Sequence, residues 1–240
     1  MGFTPALHAE WIRTRTLRSQ TVTLGAVLLA TVAFSLLAAA DTDAADTDPL
    51  FSAFFGVSFG QIAAVAFGTT AVAAEFQGGA LRVSLAAVPR RGLWFAAKTT
   101  AIALPVLAVG LATGLLTWAV GRETSGARAA GFGTAEGLRA AVGCGLYLTL
   151  MALLAAGLTA VLRSGTATLA VLVPFLLIVS FVVGDMSGSV ADLLPDRAGQ
   201  IALHSTWDGA LGPWTGLTVT ALWTAAALAA GAWRVRRRDA

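Results

Sequence analysis

The sequence predicts an all-α polytopic membrane protein with six transmembrane helices, an N-terminal interfacial amphipathic helix and both termini cytoplasmic. Three observations carry this. Of the 240 residues, 57% are hydrophobic and 12% charged, about half the charged share of an ordinary soluble domain, and the mean hydropathy is +0.77. Six windows, 19–40, 49–74, 99–121, 140–162, 164–184 and 209–233, contain no Asp, Glu, Lys or Arg. Each is long enough to cross a hydrocarbon core of about 30 Å as a helix. The charges are bunched between these windows. A strand in lipid would leave its backbone polar groups unpaired, so the Val, Ile and Thr within them do not argue for sheet.

Residues 1–18 read as a helix lying in the membrane interface. Thr4-Pro5 suits an N-cap followed by proline at the first helical position. Phe3, Leu7, Trp11 and Thr14 share one face, while Arg13 and Arg15 lie on others, within reach of anionic headgroups. The window 19–40 ends in Ala38-Ala39-Ala40, which resembles a signal-peptidase site. At 22 residues it exceeds a secretory core of about 7–15, so it reads as the first span. The connection 41–48 has four Asp and no base. Between the second and third windows, Gly78-Gly79 breaks the helix. Leu81, Leu85 and Val88 then recur at helical spacing until Pro89 and Gly92 close the piece. This is an ordered element of 75–98, longer than a plain connector needs.

Orientation follows from the bases. Arg13, Arg15, Arg18, Arg82, Arg90, Arg91, Lys98, Arg163, Arg234, Arg236, Arg237 and Arg238 make 12 on one side, against four (Arg122, Arg128, Arg139 and Arg197) on the other. The richer side is cytoplasmic by the positive-inside rule. The domain plan is therefore an interfacial helix 1–18, a six-span body 19–233 and a basic tail 234–240. Bases that flank spans answer to lipid headgroups, so the pI near 10 does not indicate nucleic acid.

Chemistry-bearing residues are few. The single cysteine, Cys144, excludes an intrachain disulfide and a cysteine-based cluster, and His8 and His204 make no ligand pair by themselves. No metal or other cofactor is expected in the chain. His204, Ser205 and Asp208 lie too close in sequence to form a triad and have no nucleophile elbow, so the connection 185–208 reads as a solvated outer loop. Its Leu193-Leu194-Pro195 and Ile201-Ala202-Leu203 are too short to span and suit half-helices. Pro105 and Pro174 suit kinks. Gly56/Gly60, Gly110/Gly114 and Gly212/Gly216 suit close helix approach. Gln61, about 18 Å along its helix from Pro49, reads first as an interhelical hydrogen bond and second as a substrate contact.

Three stretches together carry a resemblance: Glu10-Trp11-Ile12-Arg13-Thr14-Arg15-Thr16-Leu17-Arg18-Ser19; then Glu75-Phe76-x-Gly78-Gly79-x-Leu81-Arg82 with Ala87-Val88-Pro89-Arg90-Arg91 and Ala97-Lys98; and Pro213-Trp214-x-Gly216-Leu217 with Arg237-Arg238-Asp239-Ala240. In this order the chain resembles actinobacterial ABC-transporter permeases of the second exporter class, whose subunits have six spans. Phe76 stands where Tyr is more usual. The resemblance implies a permease, homodimeric or paired with a paralogue, seated on two cytosolic ATPase subunits in the plasma membrane. It assigns Glu75, Gly79, Arg82, Pro89, Arg90, Arg91 and Lys98 to a coupling element and Glu10, Trp11, Arg13 and Arg18 to the interfacial helix.

The chain has no phosphate-binding loop, since its only lysine follows Phe95-Ala96-Ala97. ATP hydrolysis is therefore expected in a partner, and the chain itself is expected not to be an enzyme. The cargo expected is a hydrophobic or amphipathic small molecule. The alternative is an ion-coupled secondary transporter, which the charge-free spans disfavour.

Overall fold

The computed structural model describes residues 2–40, 48–124, 133–179, 182, 188–207 and 211–237; all its regular elements are helical. The connection 41–47, Arg128, Asp185, Asp208 and the tail 238–240 lie outside them. In chain order the helices are α1 Phe3–Thr16, α2 Arg18–Ala40, α3 Pro49–Phe54, α4 Val57–Ala73, α5 Ala80–Ala87, α6 Arg91–Thr124, α7 Thr134–Leu162, α8 Gly165–Pro174, α9 Pro195–Gln200 and α10 Pro213–Arg237. Five segments are long and apolar enough to cross a membrane: Arg18–Ala38, Val57–Phe76, Arg91–Glu123, Thr134–Leu162 and Pro213–Arg237. The fold is that of a membrane-embedded helical protein. The window 164–184 shows a shorter apolar helix, Gly165–Ile178.

Charge-free windows underestimate helices whose ends project past the apolar layer. The third span starts at Arg91, not residue 99, and runs 34 residues unbroken across Pro105. α7 starts at Thr134, not residue 140. In the second window the backbone stays right-handed helical at Phe55 and Gly56, but tightens through i→i+3 bonds such as Ser58 N–H to Phe55 O. After Pro174, which has no N–H for the helical ladder, α8 gives way to a π-helical turn, Phe175–Val179.

α1 corrects two expectations. Its N-cap is Gly2, not Thr4, and no side chain caps it. Pro5 still falls in the first turn, where its missing N–H has no intrahelical partner to lose. The inward face is Ala6, Leu7, Glu10, Arg13 and Thr14, with Trp11 half-buried, while Phe3 is exposed. Charge pairing, not an apolar stripe, sets this face.

α7 is the axis of the bundle. In its most apolar window 67% of residues are buried, against 17% in α2. Small residues let its neighbours approach. A Cβ on Gly68 of α4 would overlap the Ala152 carbonyl, and one on Gly114 of α6 the Ala141 carbonyl. On α10, Gly231 is packed against Gly157 O of α7, 2.9 Å from where a Cβ would stand. Among the glycine pairs read from sequence, Gly56 and Gly60 lie against Thr31 of α2, and Gly110 and Gly114 lie against α7. Of the third pair, Gly216 packs tightly on Ala198, whereas Gly212 has only ordinary contacts.

Gly68→Ala should therefore destabilise the bundle by about 1–3 kcal/mol through overpacking, read as a lower thermal midpoint in detergent. Gly25→Ala, with nothing within 4 Å of its Cβ, should leave that midpoint unchanged or raise it by the equivalent of about 0.5–1 kcal/mol.

Candidate functional site

At one end of the bundle acidic and basic side chains gather in a largely buried cluster, with Arg13 at its rim and a third exposed. Glu75, in the 3-10 turn Ala74–Phe76 that ends α4, is fully buried. Its Oε1 accepts from Arg13 of α1 and from Lys98 Nζ of α6 at 2.7 Å. Its Oε2 accepts from Ser84 Oγ of α5 at 2.9 Å. Lys98, only 3% exposed, also donates to Glu10 Oε2 of α1 at 2.5 Å. Two carboxylates thus face one ammonium and one guanidinium. A buried charge is tolerable only when paired and hydrogen-bonded in this way.

α5 hangs from this cluster. Gly78 and Gly79 adopt left-handed backbone conformations, φ 59° and 75°, which glycine occupies without a Cβ penalty. They turn the chain from α4 into α5. Leu81 is buried and Leu85 partly so, while Arg82, Val83 and Ala86 face outward.

The residues assigned to the coupling element and the interfacial helix therefore divide. Glu10, Arg13, Glu75 and Lys98 lie within the cluster and hold it from beneath. Gly79, Arg82, Pro89 and Arg90 are exposed, and Trp11 is half-buried. Arg91 donates to the carbonyls of Val235 at 3.1 Å and Arg236 at 3.3 Å, satisfying acceptors at the C-terminal end of α10. Arg18 is exposed and begins α2, because α1 stops at Thr16. A groove of about 410 Å³ beside α5 is lined by Phe76, Gly79, Leu81, Arg82 and Arg163 together with Glu75. Arg163 lies over the Phe76 ring, 5.7 Å from its centroid.

The opposite end departs from the solvated loop expected at 185–208. α9 and the 3-10 turn Ile201–Leu203 pack into the bundle, burying Asp196, Ala198, Gly199, Ala202 and Leu203. Thr220 Oγ1 donates to Pro195 O at 2.7 Å, and Trp223 Nε1 to Leu193 O at 3.0 Å. Of the two apolar pieces, Leu193-Leu194-Pro195 joins a 3-10 turn to α9 with Leu193 exposed, and Ile201–Leu203 is a 3-10 turn that buries Ala202 and Leu203. His204 and Ser205 meet Asp48, the N-cap of α3. Ser205 Oγ donates to Asp48 Oδ1 at 2.6 Å and Ser205 N–H to Oδ2 at 2.7 Å. His204 Nδ1 lies 3.2 Å from Oδ2, and its ring stacks on Phe51 at 4.1 Å. The serine hydroxyl is thus bonded to the carboxylate and not to the imidazole, so this trio lacks the nucleophile–base contact of a hydrolase.

Between these parts lies a cavity of about 530 Å³, bordered by Phe51, Phe55, Ser58 and Gln61, by Leu176 and Leu177 of the π turn, and by the segment from Asp192 to His204. Gln61 is buried and makes the interhelical bond expected of it. Its Oε1 accepts from Tyr147 OH, near the middle of the 29-residue α7. Gln200 Nε2 donates to Tyr147 OH at 3.2 Å. Gln61 also borders the cavity. Tyr147, Gln200, Ser84 and Asp48 were not singled out from sequence. The lone tyrosine in a charge-free window was the available signal, because a buried phenol needs a partner. Among the described residues no group of three or more His, Cys, Asp or Glu is arranged to hold a metal ion. No family model matches the chain, and no curated protein matches it.

Lys98→Met should cost about 3–5 kcal/mol, since it leaves two buried carboxylates facing one guanidinium. Adding Glu10→Gln should recover part of that loss, a positive coupling readable in a double-mutant cycle of denaturation midpoints.

The trio of Asp48, His204 and Ser205 should weaken in acid. Burial lowers the His204 pKa below 6.5, and the nearby Asp48 only partly reverses this. The unfolded chain therefore binds the proton more readily, and stability falls as pH drops through 6.5. Burial alone would raise the Asp48 carboxyl, but the bonds from Ser205, Phe51 and Leu50 outweigh it and hold it below 3.8. That contribution is present above 3.8 and lost in stronger acid. Thermal midpoints between about pH 7 and pH 5 should fall more steeply for the native chain than for His204→Gln.

Proposed function

We propose that the chain is the membrane-spanning subunit of an ATP-driven exporter in the plasma membrane, coupled through α5 to a separate cytosolic ATPase and paired with a second permease subunit. The observation that carries this reading is α5 itself. It is a two-turn amphipathic helix tied by Glu75 and Ser84 to the ends of three other helices, with Arg82 and Val83 turned outward. Val83 is 74% exposed, an apolar anchor beside a cation, which suits a protein partner. Leu81 and Leu85, on the other face, pack inward.

Six crossings are supported by the path of the chain. α7 ends beside Phe76, and Gly165 of α8 packs against Ala73. Leu176 and Leu177 border the cavity at the far end, from which α10 returns to Arg91. The ends of α1 and α10 therefore lie on one side, the basic side, which the positive-inside rule makes cytoplasmic.

Tagged chain purified from its native host should bring down an ATP-hydrolysing polypeptide. Val83→Asp and Arg82→Glu should each reduce its recovery by about tenfold, while Arg122→Glu at the opposite end should not. Stoichiometric ATP hydrolysis by the pure chain alone would overturn the reading.

A further inference from the structure

Where α1, α2, α4 and α6 meet, a small cavity of about 20 Å³ lies beside the charge cluster, its polar side formed by Glu10, Arg13, Thr14, Gln20 and Lys98. That volume holds one water molecule and little more. Gln20, near the start of α2, is only 4% exposed. Its Nε2 donates to Thr70 Oγ1 of α4 at 3.2 Å. The Thr70 hydroxyl gives its own proton to Ala66 O at 2.8 Å, so toward Gln20 it can only accept. This fixes which way the amide points. The carbonyl end is left over. Gln20 Oε1 is buried, and among the described residues no donor reaches it. A buried acceptor without a donor is destabilising, and folded proteins meet such groups with ordered water.

The chemistry of the wall selects the occupant. An anion would be repelled by the Glu10 carboxylate and by the lone pairs of Gln20 Oε1. A metal cation would sit against the Lys98 ammonium. Lys98 Nζ gives one proton to Glu10 and one to Glu75, and an ammonium has a third to offer. A neutral molecule that both donates and accepts suits Gln20 and Lys98 together. At this volume that molecule is water.

We propose that one water molecule is bound here as a structural ligand, donating to Gln20 Oε1 and joining it to the Glu10–Lys98 pair. The consequence is mechanical. The cluster braces α1, α5 and α6 against the end of α4, and among the described residues α2 makes no direct bond to it. The water adds α2 to that brace. This inference does not rest on the exporter reading.

The test has two arms, both on the full chain. A crystal structure grown from a lipidic mesophase, at a resolution that shows ordered water, should place a peak about 2.7–3.2 Å from Gln20 Oε1 and from a polar atom of Glu10, Thr14 or Lys98. No peak there, in a map that shows other buried waters, would overturn the proposal. The second arm is the stability of Gln20→Met, which keeps side-chain length and helix propensity and gives up the Thr70 bond. If Oε1 is dry, losing an unsatisfied acceptor offsets that bond, and the unfolding constant stays level or falls. If Oε1 is bonded to water, two bonds go at once, and the constant should rise by about tenfold. An unchanged or lower constant would sink the bound water.

Discussion

The Glu75 carboxylate is fully enclosed, and the arrangement of the basic end follows from that. A carboxylate removed from water has to be neutralised and have its lone pairs met, or it is strongly destabilising. Here the donors come from three different helices: Arg13 of α1, Ser84 of α5 and Lys98 of α6. Satisfying one side chain fixes the positions of all three relative to α4. Lys98 then reaches Glu10 and fastens α1 a second time. α1 cannot lift away without leaving Glu75 and Lys98 short of partners, and α5 cannot swing without exposing Glu75 Oε2. The exposed residues of α5 are consequently presented by a braced element, although α5 itself is only eight residues long.

The middle and the far end of the molecule are built differently. Through the middle, Gly68, Gly114 and Gly145 remove the side chains that would hold helices apart, and dispersion over close backbones replaces the hydrophobic drive that lipid cannot supply. Several buried threonines of these helices return their hydroxyls to carbonyls four residues back, as Thr31 does to Val27 O at 2.7 Å. At the far end the packing opens around the cavity, and α9 closes the bundle with half-helices instead of a span.

Much of this was legible in the sequence, and what was not has a physical cause. Charge-free windows report the cost of placing an ion in lipid residue by residue, so the spans could be read one at a time. Helix ends could not, because Arg91, Lys98 and Glu136 ride on helices that continue beyond the apolar layer. Glu10, Arg13, Glu75 and Lys98 were each singled out, but as separate members of a docking surface. Their pairings span 62, 88 and 23 residues, and no local periodicity encodes them. A clue was present: the only lysine among 15 arginines lies close to the third apolar window, and ammonium is the compact cation that can serve two carboxylates at once. The packing of Pro195–Leu203 was not legible because Asp196 and Arg197 interrupt its apolar pattern, while Ala198, Ala202 and Leu203 are buried.

α4 connects the two ends. It carries Ser58 and Gln61 at the cavity and ends next to Glu75, a distance of about 21 Å for 14 residues of helix. A ligand in the cavity can shift the basic end only through contacts that differ between two arrangements of the bundle. α4 is the most direct candidate to carry that difference, since a helix hydrogen-bonded along its length transmits axial displacement better than a loop. Its neighbours permit such movement unequally. Gly60 and Gly68 set it closely on α2 and α7, whereas the π turn leaves the side facing Leu176 without a regular helical surface. The charge cluster requires that α5 follow, because parting them would strip Glu75 of the Ser84 bond. α4 thus borders the cavity at one end and leads into the Glu75 tether of α5 at the other.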